Sequence, residues 1–141
     1  MTSEASNGAK KGEIFKKAYA RAKRALSAGF YIEAIAICDS LITDRLRLIM
    51  AANSEIAAAR AGTGKIANFL VSEKVPCFDE ALWKDLLEWS RARNRHAHEM
   101  GNISGADLVP WRTRIAHAKL VAEAGFALVN RVSREARHHR L

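Results

Sequence analysis

From Leu108 to Val132, apolar and small residues return at alternating steps of three and four: Leu108, Trp111, Ile115, Ala118, Ala122, Gly125, Val129 and Val132. Residues at that spacing share one face of a helix, so this is the seam of a long helix laid along others. Ala118, Ala122 and Gly125 are small enough to let a neighbouring helix come close. No strand-like alternation, internal repeat or low-complexity segment interrupts the chain, and its two prolines leave most of it free to be helical. A helix seam is buried only by other elements. The expectation is therefore an all-α fold, an antiparallel helical bundle of four long helices and one short one.

The rest of the chain supplies the partners. Residues 1–12 are polar and aperiodic and read as a disordered tail. A helical domain is expected over 13–134, with a basic, frayed tail over 135–141. Phe15, Ala18, Ala22 and Ala25 share a face, backed by Tyr19 and Leu26, and Gly29 ends that helix. The break is so short that the next helix must fold back antiparallel. It runs from about Phe30 to at least Met50, with Ala34, Ile35, Cys38, Leu41, Ile42, Leu48 and Ile49 in a wide apolar arc. Arg45 falls inside that arc, either snorkelling to the helix edge or aimed into a cleft as a substrate contact.

Ala61-Gly-Thr-Gly-Lys65 lacks the spacing of a phosphate loop, has Ile66 after the lysine and follows no strand, so it reads as a loop or helix start. A short helix follows over 65–72 and stops at Lys74-Val-Pro76. Asp79 is suited to cap the next helix, with Phe78 and Trp83 as a hydrophobic staple. Ser104 or Asp107 can cap the last helix, where Pro110 is tolerable only in the first turn.

A formal charge of +8 favours anionic partners, nucleic acid or an acidic protein. Cys38 and Cys77 form no CxxC pair and read as buried thiols of a reducing compartment. The chain starts without an apolar signal segment and contains no apolar run of membrane-spanning length, so a cytoplasmic protein is expected, with no membrane partner.

One stretch carries chemistry: Arg91-Ala-Arg-Asn-Arg-His-Ala-His98. So many cations at helical spacing repel one another, and a polyanion is the obvious compensation. Leu82, Trp83, Leu86, Leu87 and Trp89 define the apolar arc of this helix. Extending it at about 100° per residue puts Arg93, Asn94 and Ala97 within the arc and His98 at its edge, with Arg91 and Arg95 to solvent. A shared metal site is disfavoured, since His96 and His98 diverge by about 200° on a helix; no metal or other cofactor is expected. A solvated basic patch and a structural hydrogen-bond network are the bland alternatives. Metal-free RNA cleavage needs proton transfer at the 2′-hydroxyl and at the leaving 5′-oxygen, and a cation on the phosphorane-like transition state. Histidine and arginine meet those needs. One chain holds one such set, so a two-fold dimer would complete the site. Trp83, Trp89 and the final seam offer more apolar surface than one small bundle needs, and point the same way.

Arg93-Asn94-Arg95-His96-Ala97-His98 resembles the Arg-polar-x-x-x-His motif of HEPN-domain ribonucleases, and Ala28-Gly-Phe-Tyr-Ile-Glu-Ala-Ile with Asp44-Arg45-Leu46 is similar to their second-helix region. The resemblance covers roughly residues 13–134. It implies that Arg93 and His98 are catalytic with Asn94 beside them, and that the protein is a metal-independent endoribonuclease. It also implies a homodimer with the motifs meeting in an inter-subunit cleft, and a toxin or anti-phage defence role. An antitoxin such as a minimal nucleotidyltransferase would be the partner. Arg91, Arg95, His96 and Arg45 are candidate RNA contacts. The competing expectation is a non-catalytic helical module that binds RNA or an acidic protein through the same face.

Overall fold

The computed structural model describes residues 3–53, 62–101 and 109–139. They form five helices: α1 (Ser3–Ser27), α2 (Tyr31–Asn53), α3 (Thr63–Ser72), α4 (Leu82–Gly101) and α5 (Trp111–His138). The all-α bundle of four long helices and one short one is as expected. α2 lies at its centre, packed on α1, α3 and α5, while α4 packs on α3 and α5.

The α1–α2 turn is closed by Gly29, whose φ of 85° is open to glycine at little cost. Phe30 N–H donates to the Ala25 carbonyl and Gly29 N–H to that of Leu26, satisfying the last carbonyls of α1. α1 and α2 therefore run antiparallel, with Arg21 bonded to Glu33. α4 and α5 form a second antiparallel pair, in which Trp89 Nε1 donates to the Val121 carbonyl and Arg131 reaches back to Asp85. Setting the two pairs together brings α2 beside α5 in parallel: Cys38 lies against Gly125, and Asn53 against His139.

Gly125 is the closest point of approach. A Cβ there would lie 3.0 Å from Trp89 Cζ2 and 3.2 Å from Cys38 Cβ. The seam expected on α5 is buried from Ala118 through Ala122, Gly125, Val129 and Val132. Trp111 does not belong to it and is 63% exposed. The register explains this, since α2 starts seven residues before Cys38 and so flanks α5 back only to about Ala118. On α2, Leu48 is exposed and Leu46 takes its place in the core.

Both termini differ from expectation. α1 starts at Ser3, not Glu13, and its exposed residues 8–14 continue one helix into the packed half. Residues 135–139 are not frayed: Glu135 is 1% exposed and accepts hydrogen bonds from the N–H groups of Phe78 and Asp79. His138 stacks on Phe78, which is why Phe78 forms no staple with Trp83. Trp83 is instead buried, with its indole N–H on the Val75 carbonyl. Pro110 stands just before α5, with no side-chain cap; Ser104, Asp107 and Leu108 lie outside the described residues.

Asp79 does cap the approach to α4, accepting from Ala81 N–H, but its larger role is ionic. Arg131 grips both its carboxylate oxygens, at 2.7 and 2.8 Å, and also bonds Asp85. That fork holds the Asp79 carboxyl below the usual carboxylate range, against the opposing effect of burial. A depressed folded-state pKa contributes stability above the unfolded value and loses it as pH falls through the folded one. Arg131→Met should therefore lower the melting temperature at pH 7 and flatten its decline below about pH 4. At the helix junction, Gly125→Val should destabilise the fold by about 1–3 kcal/mol in denaturant titration, because both neighbours are backed by core.

Candidate functional site

The buried face of α4 runs through Leu82, Leu86, Trp89 and Ser90, then continues through Arg93 and His96. It changes from apolar to polar without leaving the packed side. What packs there is the start of α3 and the middle of α2. Gly64 lies so close to Ser90 that a Cβ would sit 2.8 Å from Ser90 Oγ. The Gly62–Lys65 part of the glycine-rich stretch thus opens a helix, with Gly62 extended at its N-cap, and Ala61 lies outside the described residues. The missing side chain at Gly64 serves close packing, while Gly62 has open space around it.

Arg93 is half-buried, and its Nη1 stands 3.6 Å from Asp39 Oδ2 on α2. The other Asp39 oxygen accepts from Thr63 Oγ1 at 2.9 Å, and Thr63 Oγ1 lies 2.9 Å from Thr43 Oγ1. Thr63 has one hydroxyl proton and gives it to the carboxylate, so Thr43 is the donor to Thr63. The result is a directed chain, Thr43 to Thr63 to Asp39 to Arg93. Arg93 Nε is buried and makes no hydrogen bond among the described residues. None of Asp39, Thr43 and Thr63 is evident from the motif. The available signal is that Asp39 and Thr43, four apart, interrupt one face of an otherwise apolar helix.

The expected inward placement fails for two residues. Asn94 and Ala97 are exposed, as is His98. The cause is the shortness of α3, which flanks α4 only as far as Ser90. Beyond that point α3 no longer covers α4, and a wheel fitted to Trp83 and Leu87 overstates the buried arc. His96 is instead 4% exposed, and so is no direct contact for RNA. With one imidazole inside and the other outside, His96 and His98 do not converge on one ion.

Arg91 and Arg95 are exposed and line a groove of about 660 Å³ between α4 and α5, floored by Ala92, Val121 and Ala124. Arg45 is not brought to this site. It stacks 3.9 Å above the Phe15 ring and pairs with Asp44, on the α1 side of α2. Six residues separate it from Asp39, about 120° apart around the helix. It covers the Phe15 ring and also lines a cavity of about 650 Å³ between α1 and α2, apart from the motif. Cys38 and Cys77 are free thiols. Burial pushes both up to about 12, aided by Asp39 at Cys38 and by a bond to Glu135 at Cys77, so neither is a nucleophile near neutral pH.

The motif end of α4 therefore presents Asn94 and His98 to solvent, Arg91 and Arg95 along the groove, and a half-buried Arg93 braced from behind. Among the described residues no helix is long and apolar enough to cross a membrane. No protein-family model, curated protein or solved structure matches the chain.

His98→Ala should change stability by less than about 0.5 kcal/mol, as at most surface positions, while His96→Ala should cost about 1–3 kcal/mol. Urea titrations of the two variants make the comparison. Arg45→Ala should cost about 0.5–1 kcal/mol through the lost ring contact, read in the same titration.

Proposed function

We propose that the protein is a metal-independent endoribonuclease of HEPN type, acting as a homodimer in a toxin or anti-phage role under the control of an antitoxin such as a minimal nucleotidyltransferase. The observation that carries this reading is the accessible His98 one turn beyond the accessible Asn94, next to a half-buried Arg93, on a chain of charge +8. In the reaction the 2′-oxygen attacks the adjacent phosphorus, its proton passes to an imidazole, and the 5′-oxygen leaves with a proton from another. His98 supplies one of these groups and His98 of a second copy the other. Arg93 offsets the charge on the phosphorane-like transition state, Asn94 orients phosphate or imidazole, and Arg91 and Arg95 hold the neighbouring backbone.

The case for a dimer no longer rests on Trp83 and Trp89, which are buried within one chain. It rests on the single set of motif residues per chain, and on Leu120 and Trp111, which α5 leaves exposed. The non-catalytic binding reading draws on the Asp39 contact, which partly offsets the Arg93 charge.

With excess EDTA, wild type should cleave total RNA to fragments ending in a 2′,3′-cyclic phosphate or its monoester. His98→Ala should lose about 10²–10⁴-fold in rate, and Arg93→Lys should fail because a point charge does not reproduce the fork. Cleavage that survives His98→Ala, or that EDTA stops, refutes the mechanism. RNA binding without cleavage in the wild type selects the binding module. Light scattering at micromolar concentration should give twice the chain mass.

A further inference from the structure

The polar chain behind α4 has a consequence for the proposed site, and it rests on the ribonuclease reading. We infer that Asp39 is a positioning residue for Arg93, itself held by the Thr43–Thr63 hydroxyl pair, and that it sets the direction of the guanidinium that meets the scissile phosphate.

An arginine side chain has several torsions, and fixing it costs up to about 2 kcal/mol of side-chain entropy. Arg93 sits where α4 leaves the cover of α3, with its side chain 31% exposed. Apolar packing alone does not aim it. Asp39 supplies a fixed anion at 3.6 Å from Nη1. That separation makes an ion pair without a tight hydrogen bond, so the donors of the fork remain for a phosphate. The carboxylate is in turn immobile. Thr63, 1% exposed and wedged by the Gly64–Ser90 approach, donates to it at 2.9 Å, and the buried Thr43 donates to Thr63. A buried threonine pair in an apolar helix interface costs desolvation, and a simple packing role would be met as well by valine. What valine does not provide is a donor to Asp39.

The carboxylate also repels a bound phosphate, which gives the inference a signature of its own. Neutralising Asp39 should leave RNA binding equal or tighter while slowing the chemical step. Loss of fold or of binding would not have that pattern.

The test is steady-state kinetics of the full chain on a fluorogenic single-stranded RNA oligonucleotide in EDTA, with melting temperatures for each variant. Asp39→Asn should lower kcat about ten- to a hundredfold, the scale of a misplaced catalytic group, with KM unchanged or lower and the melting temperature close to wild type. Thr63→Val should lower kcat less, in the same direction. If Asp39→Asn melts below the assay temperature, Thr63→Val decides. Wild-type kcat in the deciding variant, with Arg93→Ala inactive, overturns the role of Asp39 and leaves the ribonuclease reading standing. A raised KM at unchanged kcat overturns it too, since Asp39 would then serve binding. A wild type that cleaves no RNA removes the ribonuclease reading and this inference together.

Discussion

The approach of three helices at Gly125 is the constraint on which the rest depends. Without a side chain there, α5 lies against Cys38 of α2 on one side and the Trp89 ring on the other, close enough for the indole N–H to reach the Val121 carbonyl. That contact fixes the register of α4 and α2 on α5 at once. It also fixes where α5 outruns α2, leaving Trp111 exposed, and how far along α4 the packed face extends. One end of the bundle is held separately, by the Arg131 fork on Asp79 and by Glu135 beneath the Phe78 and Asp79 amides. Both ties lie at the opposite end of α4 from the motif.

Within that register α4 is built as two halves. Its first half is closed in by α3 and α5 and carries leucine and tryptophan inward. Its second half has lost the cover of α3, and its sequence turns to arginine, asparagine and histidine at that point. Polar groups come to the surface where the packing ends, so the motif is displayed at little cost to the core. The exception is the Arg93–His96 side, which still faces the bundle. There the polar layer of Asp39, Thr43 and Thr63 provides what burial of a charged group requires, an opposite charge that is itself hydrogen-bonded.

Arg45 and His96 show how a helical wheel misleads when the neighbours are unknown. Arg45 lies in the apolar arc, and what meets it there is the Phe15 ring of α1, which no wheel of α2 alone contains. His96 reads as one more basic group of the motif, yet the face that starts at Leu82 carries it inward. A wheel gives angles about one axis. Whether an angle is buried depends on how long the flanking helix is, and α3 is short.

The chain's own pattern was sufficient for the all-α bundle, the Gly29 turn, the short α3 after a glycine-rich start, and the small-residue seam centred on Gly125. These follow from local periodicity and backbone freedom, which a few adjacent residues express. The stretch Arg91–His98 was also visible, because so dense a set of cations on one helix has no packing rationale. The tertiary structure alone decided which of those side chains face outward, since that depends on where α3 begins beside Ser90. It alone brought Asp39 and Thr63 to Arg93, joining positions 24 to 54 residues apart in sequence. It also turned the expected C-terminal tail into the end of α5. Glu135 finds its partners at Phe78 and Asp79, across the bundle, and no local pattern announces a hydrogen bond between residues so distant in the chain.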